Sequence, residues 1–210
     1  TPAGSAVEPT GVPDAPALPL ARLEARGLCH RYGRRIGLQP VEFEIEGPGV
    51  VAITGTNGAG KSTLLRIVAG LLRPSDGELL VSVNRRDVPP PERRHVIGYA
   101  GPDLAFYDEL TVEENLRFVA ETRGLRDVAG RVTVALERVG LAVRSGDRAD
   151  ALSSGMKARL RFAFALLHRP PILLLDEPVS HMDDDGRRTL EHIVRDEARH
   201  GLVVIATNEE

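Results

Sequence analysis

One octet near residue 60 constrains the fold of this chain more than any other stretch. It fits the pattern G-x-x-x-x-G-K-[ST], a loop whose backbone N–H groups surround phosphate oxygens. Lys61 is one of only two lysines in the chain. A flexible lysine stem reaches the β- and γ-phosphates past a tight loop, whereas a planar guanidinium is too bulky. The octet therefore predicts binding of a nucleoside triphosphate, and it reads Gly55-Thr56-Asn57-Gly58-Ala59-Gly60-Lys61-Ser62.

The flanks of the octet supply the context that this loop needs. The apolar, β-branched run from Val50 to Thr54 predicts a buried parallel strand. After the loop, apolar residues at helical spacing predict a helix, whose N-terminus favours anions, so the nucleotide-binding residues are expected to run from Gly55 to Thr63. Ser62 would offer its hydroxyl to Mg²⁺. The alternative is a glycine-rich turn capped by Ser62. The apolar residues of the predicted helix are Leu64, Leu65, Val68, Leu71 and Leu72.

Composition narrows the remaining classes of protein. With 210 residues and 42% hydrophobic content, the chain can form one sizeable core. The net charge of −3 gives no electrostatic reason to propose nucleic acid as a partner. The single cysteine, Cys29, excludes an internal disulfide and is expected to be a small buried hydrophobe. No apolar run approaches the roughly 18 residues of a membrane span, so we expect a cytoplasmic domain.

The rest of the chain divides into a tail and an ordered domain. Residues 1–20 are rich in proline and alanine without periodicity, which predicts a disordered tail, and the ordered domain is expected over 21–210. Residues 23–26 and 41–45 alternate at period two, as in half-buried antiparallel strands. Residues 78–83 predict a further strand. From Thr111 to about Val139 the pattern is helical, with a capping box formed by Thr111 and Glu114.

A second chemical landmark is an acidic pair after an apolar run. Four apolar residues, 172–175, predict a buried strand, and Asp176 and Glu177 follow at its C-terminal end, where ligands bind in parallel sheets. Asp176 is placed to hold Mg²⁺. Glu177 is placed to orient and polarise a water in line with the γ-phosphate. Without the phosphate loop, the pair could equally be surface charge before a proline turn.

The third landmark indicates a family. Residues 152–159 (Leu-Ser-Ser-Gly-Met-Lys-Ala-Arg) resemble the LSGGQ signature of ATP-binding-cassette (ABC) ATPases, and they lie upstream of the acidic pair as in that family. The resemblance implies an α/β P-loop fold with a mostly parallel core sheet, an antiparallel β subdomain and a helical subdomain at about 103–168. It also implies that Ser153 and Gly155 face the γ-phosphate held by an opposite subunit.

Other positions acquire roles from this resemblance. Tyr32 looks like the aromatic residue that stacks on adenine, with a core or surface tyrosine as the alternative. Residues 180–183 match the D-loop, which crosses to the partner subunit. Two positions depart from the family pattern. Pro102 stands where a glutamine usually approaches Mg²⁺ and the attacking water, with Asp103 beside it as a candidate substitute. Asn208 occupies the place of the switch histidine, so we expect slower hydrolysis than in an ordinary cassette.

The resemblance predicts the ATP- and Mg²⁺-binding, ATP-hydrolysing subunit of an ABC transporter, at the inner face of the membrane. Its expected partners are a second ABC subunit and a transmembrane permease, which would dock near residues 103–116. Phe106 and Tyr107 are candidate contacts there, with ordinary burial as the alternative. The pattern leans toward short exporter cassettes such as the haem exporter of cytochrome c maturation. The end at Glu210 is expected to be a truncation, because cassettes normally add a further helix.

Two other functions fit part of this pattern. A degenerate cassette would bind ATP and dimerise with little hydrolysis, which Pro102 and Asn208 favour and Glu177 opposes. A non-transport cassette would act on DNA or ribosomes. That class usually carries coiled-coil or zinc insertions or a second cassette, and the sequence shows none of these.

Overall fold

The computed structural model describes residues 20–180 and 182–208. The predicted N-terminal tail, apart from Leu20, and His181 of the D-loop match lie outside these residues. The helices and strands follow in this order: β1 Ala21–Tyr32, β2 Arg35–Glu46, β3 Gly49–Thr54, α1 Lys61–Val68, β4 Asp76–Val83, β5 Arg86–Asp87, α2 Arg93–Val96, β6 Ile97–Ala100, α3 Val112–Thr122, α4 Val128–Arg138, α5 Ser154–Leu166, β7 Ile172–Asp176, α6 Asp184–Glu197 and β8 Leu202–Thr207.

The strands form two sheets of different character. β2, β1, β4 and β5 lie side by side in that order and are antiparallel, which confirms the prediction from the period-two alternation. β3, β8, β7 and β6 form a parallel sheet. β7 lies in the middle of the parallel sheet, and all five of its residues are buried, as the apolar run predicted. The fold is that of an α/β protein with a separate antiparallel sheet.

The parallel sheet separates two apolar cores. Because side chains alternate along a strand, β7 sends Leu173 and Leu175 to the side covered by helices α3, α4, α5 and α6. It sends Ile172 and Leu174 to the other side, where α1 and the antiparallel sheet pack. A continuously apolar strand is therefore required here, since neither face of β7 meets water.

Two sequence predictions are corrected in detail, and a third is refined. β3 is parallel but not buried, because in the described residues it pairs only with β8 and its outer face, including Val50, is half exposed. The helix after the phosphate loop ends at Val68, so Leu71 lies outside it and is 65% exposed. The helical pattern predicted from Thr111 to about Val139 is present, and it comprises two helices, interrupted after α3 by Gly124 in a left-handed conformation.

Two smaller predictions also have outcomes. Cys29 is only half buried rather than buried. The capping box is confirmed: the Thr111 hydroxyl accepts from the Glu114 amide, and the Glu114 carboxylate accepts from the Thr111 amide. Among the described residues, no helix is long and apolar enough to cross a bilayer.

A buried arginine joins the phosphate-loop helix to the antiparallel sheet. Arg93 is 4% exposed, and its guanidinium donates to the carbonyl oxygens of Ile67 at 3.0 Å and Leu79 at 3.1 Å. Ile67 belongs to the last turn of α1, whose carbonyls have no partner within the helix. Leu79 belongs to β4. Burial lowers the pKa of Arg93, and among the described residues no carboxylate pairs with it. Its charge is stabilised by the helix C-terminus instead.

We expect Arg93→Met to lower the free energy of unfolding by about 2–3 kcal/mol, because buried carbonyl oxygens lose charge-assisted donors. Urea denaturation of the purified chain measures this. Arg94→Met is the matched control: Arg94 is the exposed neighbour, and its removal should change stability by less than about 0.5 kcal/mol. Equal effects of the two substitutions would contradict this role for Arg93.

A neutral histidine connects the end of α5 to the start of β6. His168 Nε2 lies 3.1 Å from the Ile97 carbonyl oxygen, so it donates there, and Arg123 Nη1 lies 3.3 Å from Nδ1. Burial, together with the charge of Arg123, lowers the pKa of His168 to about 4. The folded chain therefore keeps this ring neutral at pH values where the unfolded chain protonates it.

This arrangement predicts a loss of stability in mild acid. Between about pH 6.5 and pH 4 the unfolded state binds one proton more than the folded state at His168, so stability falls as the pH falls. The expected loss is about 3 kcal/mol across this window. Urea denaturation against pH should show it in the native chain and not in His168→Gln. His192→Gln, which removes an exposed histidine of α6, should leave the pH dependence in place.

Candidate nucleotide-binding site

The residues singled out in the sequence meet at one edge of the parallel sheet. Register pairs Thr54 at the end of β3 with Thr207 of β8, and Asp176 at the end of β7 with Ala206. All four parallel strands therefore end on the same side. The phosphate loop follows β3, Glu177 follows β7, and the residue after the end of β8 is Asn208. This edge is where ligands bind in open parallel sheets.

The phosphate loop turns from β3 into α1 through glycines that no other residue replaces easily. Gly55, Gly58 and Gly60 have φ values of 155°, 85° and 99°. Gly60 is the N-cap of α1, and a Cβ atom there would lie 2.6 Å from the Gly37 carbonyl oxygen. Among the described residues no side chain caps the helix, so the N–H groups of its first turn face the cleft. The alternative of a turn capped by Ser62 is wrong.

The amine of Lys61 is enclosed by oxygen atoms. It donates to the carbonyl oxygens of Gly55 at 2.7 Å and Thr56 at 3.3 Å, and to Oδ1 of Asn208. Glu177 Oε1 lies 3.7 Å away. The lysine side chain is only 8% exposed, so its charge depends on these acceptors. In this structure these acceptors take up the N–H groups of Lys61 that would otherwise donate to phosphate oxygens.

The two adjacent carboxylates face the loop because the chain turns between them. In an extended strand, neighbouring side chains point to opposite faces. Glu177 has φ 48°, a left-handed conformation that costs a residue with a side chain about 1–3 kcal/mol, and its N–H donates to the Ala206 carbonyl at 2.8 Å. As a result Asp176 contacts Ser62 while Glu177 contacts Lys61.

Asp176 has the surroundings of a cation ligand. It is 3% exposed, and the Ser62 hydroxyl donates to its Oδ1 at 2.9 Å while the Tyr99 hydroxyl lies 3.3 Å from its Oδ2. No basic side chain in the described residues forms an ion pair with it. A buried carboxylate without a counter-charge is costly, and a hydroxyl beside a carboxylate is the oxygen donor set that Mg²⁺ prefers. The residues present therefore fit this ion.

Tyr32 lies at the rim of a cleft of about 320 Å³ that also contains Lys61, Glu177 and Asn208. The tyrosine is 45% exposed, and its hydroxyl lies 3.4 Å from the Thr63 hydroxyl. A half-exposed aromatic ring beside a phosphate loop suits stacking on a base. It does not suit the alternative of a core tyrosine. The other residues lining the cleft are Arg35, Ile36, Gly37, Asn57, Gly58, Gly60, Ser62, Thr63 and Arg66.

The segment that follows β6 does not supply the glutamine that the family usually has there. Pro102 lines a second cavity of about 270 Å³ beside Asp176 and Glu177, and its side chain has no donor. Asp103, the candidate substitute, forms an ion pair with Arg66 of α1 instead. Its carboxylate is therefore engaged away from Glu177 in this structure.

The signature residues lie apart from this cleft. Ser153 is the N-cap of α5, and its hydroxyl accepts from the Met156 amide at 3.2 Å, as a residue of this type is expected to do. Neither Ser153 nor Gly155 is among the described residues that line the cleft around Lys61. Asp184 and Asp185 lie in the first turn of α6 with Asp183 as the N-cap, where negative charge is favourable.

Sequence reasoning did not assign a role to Tyr99 or Arg66. Tyr99 lies in β6 next to the end of β7, and Arg66 lies one turn into α1 at the wall of the cleft. The available signal was weak. Tyr99 carries a hydroxyl near the C-terminal end of β6, but the sequence does not show that β6 lies beside Asp176. Strand order, which the sequence leaves open, brings the two together.

Comparison with known proteins agrees with this geometry. A protein-family model described as ABC transporter matches residues 38–180. The chain belongs to the ABC transporter family. Within it, this cassette is 37% identical over 189 residues to the ABC transporter ATP-binding protein YxlF of Bacillus subtilis, covering 89% of the chain and 62% of YxlF. It is 38% identical over 188 residues to the cytochrome c biogenesis ATP-binding export protein CcmA of Rhodopseudomonas palustris, covering 89% and 91%.

Solved structures show the same fold. The cassette matches cbiO1 from Clostridium perfringens, part of the ABC transporter complex cbiONQ, with a TM-score of 0.73 and 28% identity over 89% of this chain and 78% of cbiO1. The predicted ABC ATPase fold and the family resemblance are thus confirmed. The chain spans less than two thirds of YxlF but nearly all of CcmA.

Proposed function

We propose that this cassette binds ATP with Mg²⁺, closes as a dimer around it, and hydrolyses it to drive a separate transmembrane permease. One observation carries the proposal: the Lys61 amine, the Asp176 carboxylate and the Glu177 carboxylate converge at the mouth of an uncapped helix. A cation, a metal-type carboxylate and a candidate base at one helix N-terminus are the parts that phosphoryl transfer needs.

Binding of the triphosphate would rearrange the contacts of Lys61. Its present acceptors include two backbone carbonyls and the Asn208 amide oxygen, all uncharged. Phosphate oxygens are stronger acceptors for an ammonium group, so the amine would move to them. That move would also release Glu177, which now lies 3.7 Å from the amine. The lysine contact therefore supports a base that becomes available only when the nucleotide is bound.

Ser62 and Asp176 would hold Mg²⁺, through the hydroxyl and carboxylate that already face each other at 2.9 Å. When bound, the ion neutralises charge on the phosphate oxygens. Glu177 would accept a proton from the attacking water, since its carboxylate stands at the strand end beside the phosphate loop. Tyr32 would stack on the base at the outer end of the cleft.

A second subunit would complete the site. Ser153 and Gly155 form a helix N-terminus that is outside the Lys61 cleft within the described chain. A partner copy would bring them to the γ-phosphate, with the Ser153 hydroxyl and the first N–H groups of α5 as donors. We propose a homodimer or a pair with a paralogue. The family resemblance implies this dimer. The separation of Ser153 and Gly155 from the Lys61 cleft supports it.

The permease would dock near residues 103–116, and the neighbouring Phe118 extends this surface. Tyr107 is 55% exposed and stacks edge-on against Phe118, which is 46% exposed. An exposed aromatic pair of this kind is typical of a contact surface. Phe106 instead packs on Phe164 with ring centroids 5.3 Å apart, so Tyr107 is the better of the two predicted contacts. The identity to CcmA supports an export-type partner as the subtype.

Turnover of ATP by the purified chain, measured against protein concentration with Mg²⁺, tests the proposal. The rate should rise more than linearly with concentration if two subunits form each site. Glu177→Gln should keep ATP affinity and lower turnover about 10²- to 10⁴-fold. Lys61→Ala should weaken ATP binding about 10- to 100-fold, since a charge-assisted bond is lost. An unchanged turnover rate in Glu177→Gln would contradict the role assigned to Glu177.

A degenerate cassette that binds ATP with little hydrolysis is the second candidate. Two observations favour it: Pro102 offers no donor, and Asn208 uses its side-chain oxygen on Lys61. We propose that both changes slow hydrolysis without abolishing ATP binding. An amide can still donate to a phosphate oxygen, but it cannot become cationic or pass a proton as imidazole can.

Replacing the amide with imidazole should therefore speed the reaction. We expect Asn208→His to raise turnover per site at least about tenfold at saturating ATP, with little change in ATP affinity. Asn208→Gln is the control, because it keeps an amide and should give no gain. An unchanged rate in Asn208→His would show that Asn208 is not the cause of slow hydrolysis.

A further inference from the structure

A tyrosine of β6 contacts the carboxylate that is proposed to hold the metal. Asp176 has two oxygens with different partners: Ser62 donates to Oδ1 at 2.9 Å, and the Tyr99 hydroxyl donates to Oδ2 at 3.3 Å. Ser62 lies on α1 and Tyr99 on the neighbouring strand. Two hydroxyls on different elements therefore each contact one oxygen of the carboxylate.

The direction of the tyrosine hydrogen bond is fixed by its surroundings. An ordinary phenol ionises only near about pH 10. The phenol keeps its single proton throughout the physiological range, and a phenol has only that proton to donate. The positive charge of Arg66 also acts on this hydroxyl, and a guanidinium cannot accept its proton. The proton is thus left for Asp176, and a cation behind a donor strengthens the bond that the donor makes.

The next turn of the chain is shaped around the same hydroxyl. A Cβ atom at residue 101 would lie 2.2 Å from the Tyr99 hydroxyl oxygen and 2.4 Å from Cζ. Gly101 does not have a positive φ, so its backbone conformation suits any residue. The glycine is needed for space alone. This close approach is an observation independent of the hydrogen bond, and it points to the same group.

We propose that Tyr99 is a positioning residue that orients the Asp176 carboxylate toward the metal, and that Gly101 makes room for its hydroxyl. This inference rests on the proposed function, in which Asp176 holds Mg²⁺. Asp176 is 3% exposed and lacks an ion-pair partner in the described residues, so hydrogen bonds alone set its orientation before a cation arrives. Removing such an outer partner of a metal ligand typically costs 10- to 100-fold in metal affinity or activity.

Tyr99→Phe tests the proposal with a readout other than turnover. A fluorescent ATP analogue is titrated onto the purified chain without metal and then with increasing Mg²⁺, and bound Mn²⁺ is measured by electron paramagnetic resonance. We expect affinity without metal to stay within about twofold, because the phosphate loop is untouched. The Mn²⁺ dissociation constant should rise about tenfold. An unchanged metal affinity would overturn the positioning role.

Gly101→Ala tests the same contact from the other side. It should displace the Tyr99 hydroxyl and weaken metal binding to a similar extent, and it should add no further loss in the Tyr99→Phe background. Gly146→Ala is the matched control: it is also a glycine without positive φ, and nothing lies within 4 Å of the added Cβ. Equal metal affinities in the two glycine variants would overturn the role of Gly101.

Asp176→Asn separates the inference from the function on which it rests. If Asp176→Asn weakens metal binding and Tyr99→Phe adds nothing in that background, the hydroxyl acts through the carboxylate as proposed. If Asp176→Asn weakens metal binding while Tyr99→Phe alone does not, only the positioning role fails. If Asp176→Asn itself leaves metal binding unchanged, the proposed metal role of Asp176 fails, and the proposal for Tyr99 fails with it.

Discussion

The close passage of the phosphate loop beneath β2 is the constraint on which the site depends. A Cβ atom at Gly60 would lie 2.6 Å from the Gly37 carbonyl, and the residue has φ 99°, so only glycine allows the chain to turn from β3 directly into α1. That turn fixes where α1 begins. It leaves the first N–H groups of the helix without a side-chain cap. It also places the consecutive residues Lys61 and Ser62 opposite different carboxylates, Glu177 and Asp176.

The second constraint is the double burial of β7. Its residues pack into two cores, one on each side of the parallel sheet. This packing fixes the position of the strand, and with it the positions of Asp176 and Glu177 at its end. The left-handed turn at Glu177 is strained, and the sheet provides the compensation through the bond to Ala206. Such strain is common where a structure holds reactive groups in place. Here it lets consecutive carboxylates serve two different partners.

Electrostatics link the two halves of the site. In the described structure the Lys61 charge is balanced by Glu177 and neutral oxygens, while Asp176 is buried with hydroxyl partners only. The site thus holds one paired carboxylate and one that has no counter-ion. The proposed triphosphate and Mg²⁺ would reverse both conditions: phosphate oxygens would accept from Lys61, and the ion would lie beside Asp176. Tyr99 donates to Asp176 as a neutral hydroxyl, so it holds the carboxylate without neutralising its charge.

The local sequence determined those features that depend on residues close together in the chain. The phosphate loop, the buried β7, the acidic pair at its end and the capping box of α3 were all predictable because each depends on residues within a few positions of one another. The edge position of β3 and the half burial of Cys29 were not, since each depends on which elements pack beside it. The break between α3 and α4 follows a local residue, Gly124. Roles implied by family resemblance stand as proposals at Tyr32, Ser153 and Gly155.

What the sequence alone determined, then, is that the chain binds a triphosphate at a strand–loop–helix junction, in the fold of an ABC ATPase. Only the tertiary structure decided how the pieces meet. The order β3, β8, β7, β6 brings Asn208 onto Lys61 and Tyr99 onto Asp176, across separations of 147 and 77 residues. The same packing pairs Asp103 with Arg66, away from Glu177. Contacts of this range follow from strand order and register, which no local pattern encodes.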